Sequence, residues 1–204
     1  METIFKNHLI QFYDNEILIN ELWLNIEKRY SEKHRHYHTL QHIEHLFFLL
    51  EKNKNLVADW ETLVISIFYH DAVYNARKSD NEEQSAVFMQ QAMSKIIFPK
   101  EKIEKSYRQI IATKKHEMTG DNDTDLFTDA DLAILGSDWN NYQAYAKNIR
   151  KEYLIYPDFM YNMGRKKVLK HFLQMENIYK TPLFQAKLED MARVNLEKEL
   201  HQLL

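Results

Sequence analysis

The residues of this chain best suited to chemistry are histidines and aspartates that fall in three places. The first is a cluster of five histidines between His34 and His45. Within it His38, His42 and His45 are spaced i, i+4, i+7, which places them on one helix face that continues through Leu46 and Leu49. The second is Phe68-Tyr69-His70-Asp71, where His70 extends the stripe of Leu63 and Ile67, and Asp71 that of Val64 and Phe68. The third is Thr128-Asp129-Ala130-Asp131. Asp131 shares a stripe with Phe127, Ile134 and Leu135 and so points inward, whereas Asp129 shares one with Asp125 and Ala133 and suits a capping or supporting role. A buried imidazole needs partners for its ring nitrogens, and a buried carboxylate needs a counter-charge or a metal. For any one of these histidines a hydrogen-bonded core residue is the simpler account. Three on one stripe, with inward carboxylates elsewhere, favour a mixed nitrogen–oxygen metal site of His42, His70, Asp71 and Asp131. That donor set suits Mn, Fe, Co, Ni or Zn, with Mg less natural for imidazole. A second ion is compatible if Asp71 bridges, with Glu82, His116 and Asp129 as spare ligands or supports. Arg35, just before the cluster, and Lys114 are candidates for a substrate phosphate, although an exposed loop arginine explains Arg35 equally well.

Composition limits what can position these groups. The chain has 204 residues, enough for one domain over 1–204, and only 3 Gly and 3 Pro, too few for the tight turns of a strand-rich fold. It has no Cys, which removes disulfides, thiolate metal sites and thiol nucleophiles, and a cytoplasmic location is the simpler expectation. The formal charge of -3 gives no reason to expect nucleic acid. The first residues carry acid early and lack the continuous apolar core of a secretory leader. Leu63–Tyr69, the longest apolar run, is too short to span a bilayer, so no membrane association is expected. A homodimer is compatible with the many aromatic residues.

The apolar periodicity predicts an all-α chain of about nine helices. These fall near 4–28, 38–52, 57–74, from 82, from Pro99 to His116, 125–135, 138–155, 158–176 and 182–203. Gly136 stops the sixth, and Thr181-Pro182 reads as an N-cap followed by proline at the first helical position.

The set His42 … His70-Asp71 … Asp131 resembles the pattern of the HD superfamily of metal-dependent phosphohydrolases. The strings Arg35-His-Tyr-His-Thr-Leu-Gln-His-Ile43, Asp80-Asn-Glu-Glu-Gln-Ser-Ala86, Ile111-Ala-Thr-Lys-Lys-His116 and Asp129-Ala-Asp-Leu-Ala-Ile-Leu-Gly136 are similar to those of a small bacterial subfamily of predicted phosphohydrolases, over about residues 20–204. The segment Tyr37-His38-Thr-Leu-Gln-His42 is also similar to the signature of cyclic-nucleotide phosphodiesterases, although this chain is much shorter and shows no counterpart of their purine clamp. The resemblance implies a helical bundle holding one or two divalent ions. It implies hydrolysis of a phosphate mono- or diester, of a nucleotide or similar small molecule, by a metal-bound hydroxide. Asp71 belongs to the catalytic set, and His38 is the acid for the leaving oxygen. Two rivals stand beside it: a dinuclear-iron oxygenase, which needs His116 and Glu82 for a second iron, and a nucleotide-binding regulatory module without turnover.

Overall fold

The computed structural model describes residues 1–203, which form ten α-helices and, among the described residues, no strand. In chain order these are α1 (Glu2–Leu9), α2 (Glu16–Tyr30), α3 (Leu40–Glu51), α4 (Trp60–Tyr69), α5 (Asn81–Met93), α6 (Lys100–Ala112), α7 (Asn122–Asp131), α8 (Trp139–Glu152), α9 (Asp158–Gln174) and α10 (Pro182–Gln202). The chain divides into two compact units, Met1–Thr128 and Asp129–Leu204, with the boundary inside the continuous helix α7.

In the first unit α4 is the central helix, with α1, α3, α5 and α6 packed on it. All residues from Thr62 to Tyr69 are buried, as expected of a helix apolar on every side. Its polar residues are satisfied locally: Ser66 Oγ donates to Gln109 Oε1 at 2.6 Å and lies 2.8 Å from Ser106 Oγ. Asp59 starts the helix by accepting from Thr62 N at 3.2 Å.

Several helix boundaries differ from the sequence expectation: α6 ends at Ala112 rather than His116, α7 spans Asn122–Asp131 rather than 125–135, and three more differences lie in the first four helices. The expected helix over 4–28 is two helices, α1 and α2. Asn15 restarts the chain by accepting from Leu18 N at 3.1 Å. The apolar periodicity runs through the break because both helices bury apolar residues, Phe5 and Leu9 in one and Ile19, Leu22, Trp23 and Ile26 in the other. The second helix starts at Leu40 rather than His38, since Thr39 caps it by accepting from Gln41 N. The third ends at Tyr69 rather than Tyr74, and the Ala72 N–H closes a tight turn onto Tyr69 O at 3.1 Å.

The second unit contains the end of α7, a 3-10 turn at Ala133–Gly136, and α8 to α10. The turn and α9 both pack on α10. Gly136 is required by close approach, since a Cβ there would lie 2.6 Å from Leu188 Cβ. Buried Arg165 grips buried Glu199 with two bonds, Nε to Oε1 at 2.7 Å and Nη2 to Oε2 at 2.9 Å. Tyr142 donates its hydroxyl to the same carboxylate. No described helix is long and apolar enough to cross a membrane.

Candidate metal centre

The C-terminal end of α4 carries the site, and every carbonyl there has a partner. Ser66 O receives the His70 N–H at 3.0 Å, Ile67 O receives His70 Nδ1 at 3.0 Å, and Phe68 O receives the Tyr30 hydroxyl at 3.1 Å. The Ile67 bond fixes the chemistry of His70. A carbonyl only accepts, so Nδ1 must carry the proton, and in the neutral ring Nε2 is left with a lone pair.

That lone pair faces other donor atoms. His70 Nε2 lies 3.2 Å from His42 Nε2 and 3.2 Å from Asp71 Oδ2, and His42 Nε2 lies 3.8 Å from Asp71 Oδ2. His42 projects from the first turn of α3 and is buried, as is His70, while Asp71 is 20 % exposed. The third element is α7, whose Phe127 meets the His70 ring edge-on at 5.5 Å between centroids. One helical turn later in the same helix comes Asp131. The ligand atoms of His42, His70 and Asp131 all lie within 4.8 Å of one another.

These residues fit a divalent cation. Two ligand atoms each about 2.1 Å from one ion sit about 3.0–3.4 Å apart at cis-octahedral or tetrahedral angles, and the two imidazole nitrogens are at 3.2 Å. Two buried ring nitrogens and carboxylate oxygens pointed at one another repel unless a proton or a cation lies among them. The His42, His70 and Asp131 group could therefore hold a metal ion, of the kinds that take mixed nitrogen and oxygen ligands.

The other sequence candidates take different places. His38 stands outside the helix, before the Thr39 cap, with Nε2 3.9 Å from Asp71 Oδ2. Its ring packs on Tyr74 at 4.5 Å, and its side chain is 19 % exposed. His45, on the stripe expected to continue inward, is exposed. Asp129 is fully buried in the second unit and saturated there: it accepts from Lys180 N, Thr181 N and Thr181 Oγ1 at 2.7–2.8 Å and pairs with Lys180 Nζ at 2.9 Å. It anchors the start of α10 and has no capacity left for a second ion. Glu82 and His116 fall outside the three-residue group. Burial holds the Glu82 carboxyl above the usual carboxylate range, and the negative charge of Asp71 adds to the shift. His116 adopts a left-handed conformation, φ 54°, at the close of α6, where its main-chain N–H donates to Ala112 O. Lys114 is held by the Glu83 carboxylate and by Ser79 O at 2.7 Å.

Arg35 corrects the expectation of a phosphate contact. Its side chain is 0 % exposed. Nη1 donates to His38 O at 3.1 Å and Asp71 O at 2.7 Å, Nη2 to Ala72 O at 3.0 Å, and Nε to Glu32 Oε2 at 3.1 Å. Four of its five N–H groups are spent inside the protein, so it does not reach a ligand in solvent. The sequence holds no signal for this, because two of the three carbonyls it bonds lie 36 and 37 residues away. Tyr30 and Tyr74, which box its guanidinium at 5.1 and 5.5 Å, were equally hidden. No protein-family model matches this chain, and neither curated proteins nor solved structures give a match.

Proposed function

We propose that this chain is a metal-dependent phosphohydrolase of the HD type, acting on a phosphate mono- or diester of a nucleotide or similar small molecule. The observation that carries this reading is the convergence of His42, His70 and Asp131 within 4.8 Å, with the His70 tautomer set by Ile67 O. Asp71 and His38 lie beside that group rather than elsewhere on the surface. His42, His70, Asp71 and Asp131 are the residues that would hold the ion. A divalent cation there would make bound water more acidic and offset the charge that develops on a phosphoryl group.

The protein's own groups supply the rest. His38 is reachable by solvent, unlike His42 and His70, so it can meet a substrate oxygen and give it a proton as the ester bond breaks. Asp71 Oδ2 lies 3.9 Å from His38 Nε2, so the two groups share one side of the site. Tyr74, packed against His38, restricts its motion and shields one side of it from water.

The test is a panel of phosphomonoesters and phosphodiesters, assayed with Mn, Co, Ni, Zn or Mg, on wild type and on His38→Ala. Phosphate-ester cleavage by wild type that depends on added metal supports the reading. A protein that retains iron and cleaves nothing on the panel would instead favour the oxygenase chemistry. Tight nucleotide binding with no product after long incubation would favour a regulatory module.

A further inference from the structure

Arg35 sits where two segments of the first unit meet. One is the stretch leading into α3, which carries His38 and then His42. The other leaves α4 and carries Asp71. A single guanidinium nitrogen, Nη1, bonds the main chain of both, His38 O at 3.1 Å and Asp71 O at 2.7 Å, and Nη2 adds Ala72 O at 3.0 Å. We infer that Arg35 is a positioning residue that fixes the His38 segment against the Asp71 segment, and so sets the shape of the metal centre. This inference rests on the metal-centre reading given above.

The electrostatics favour this role over a merely stabilising one. A fully buried cation is costly unless it is well paired. The one carboxylate bonded to Arg35, Glu32, is itself 38 % exposed. Two of the remaining bonds go to carbonyl dipoles past the end of α4, where a cation is favoured, the third goes to His38 O, and the guanidinium lies over the faces of Tyr30 and Tyr74. Apolar packing would fill the same space at less cost, but it could not hold three carbonyls in a fixed relation. A lysine falls short too, because one ammonium nitrogen in the place of Nη1 leaves the Nη2 bond to Ala72 O and the Nε bond to Glu32 unmade. Arg165, buried in the second unit, shows the ordinary arrangement, with one carboxylate gripped by two parallel bonds and no bond to a ligand-bearing main chain.

The test uses the full chain with Arg35→Gln, Arg35→Lys and, as a control for general destabilisation, Arg165→Gln. Folding of each is checked by far-UV circular dichroism. Mn2+ affinity is measured by titration calorimetry, and the histidine ring resonances by NMR without added metal. Arg35→Gln should weaken Mn2+ binding by about tenfold or more, in the range seen when groups supporting metal ligands are removed. It should also shift the His38 and His70 resonances. Arg35→Lys should fall short of wild type in the same two readouts even where it restores thermal stability, while Arg165→Gln should lower stability and leave both unchanged. A folded Arg35→Gln protein with wild-type Mn2+ affinity and unshifted His38 and His70 resonances overturns the inference. If wild type itself binds no divalent ion, the metal-centre reading fails on its own. The resonances still decide Arg35: movement in Arg35→Gln sustains its positioning role, and no movement overturns it.

Discussion

The two units each bury an arginine, and they hold it in opposite ways. In the second unit Arg165 is closed off by Glu199 and Tyr145. Buried carboxylates are closed off in both units, Asp129 by Lys180 and Thr181 and Asp123 by Lys105 and the Ala58 and Asp59 N–H groups. In the first unit Arg35 makes three of its four bonds to main chain, and His42 Nε2, His70 Nε2 and Asp71 Oδ2 converge within 3.8 Å of one another. Saturated charges hold helices together, whereas the convergent group of His42, His70 and Asp131 could hold a metal ion. Asp129 and Asp131 lie two residues apart in one helix, the first anchoring the start of α10 and the second within that group.

The largest expected effect that would break this contrast is on the second unit. Glu199→Ala leaves the Arg165 charge buried without its carboxylate, and should cost about 3–5 kcal/mol of stability. A thermal melt that hardly moves would show that the pair is not the closed structural element described here. Next is His38→Ala, which should keep the bound metal yet lower turnover about 10²–10⁴-fold. Metal loss in that variant would make His38 a ligand rather than an acid. Asp129→Asn should cost on the order of 1–3 kcal/mol through its lost charge-assisted bonds, with metal content unchanged by elemental analysis.

The smallest effect concerns His8, a buried histidine of the first unit that also spends a ring nitrogen on a carbonyl, Glu61 O at 2.9 Å. Burial holds its pKa below the usual imidazole value, against the pull of that bond. As pH falls below about 6.5, the unfolded chain takes up a proton that the folded one refuses, so stability is lost. Wild type should therefore lose more melting temperature between pH 7.5 and pH 5 than His8→Phe. Equal losses would show that this ring does not titrate on unfolding.

Much of this was legible in the sequence because helical periodicity marks which side of a helix is buried. The apolar run of α4 marks His70 as buried, and scarce Gly and Pro point to helices throughout, but the stripes of α7 misjudge burial: that helix is buried from Asp123 to Ala130, so Asp129 is fully buried and Asp131, at its end, only half-buried. Periodicity does not show where a helix stops when burial continues beyond it. The apolar pattern therefore continues past Tyr69, where α4 ends, and across the break between α1 and α2. It also does not show which main-chain groups meet across long sequence separations, so Arg35 read as a loop residue facing a ligand. His45 reads as inward from its i+3 spacing to His42, but the buried face of α3 runs through His42, Ile43, Leu46, Phe47 and Leu50, which leaves His45 beyond its edge.

One helix places Asp129 in a hydrogen-bonded anchor and Asp131 with His42 and His70, in the group that we propose as the metal centre. The most direct test is the metal content and Mn2+ affinity of Asp131→Asn beside Asp129→Asn and wild type, with a thermal melt of each. The account predicts that Asp131→Asn loses metal while keeping its melting temperature within a few degrees, and that Asp129→Asn keeps metal while losing stability. Wild-type metal binding in Asp131→Asn, or no metal binding by wild type after Mn, Co, Ni or Zn is offered, would contradict it.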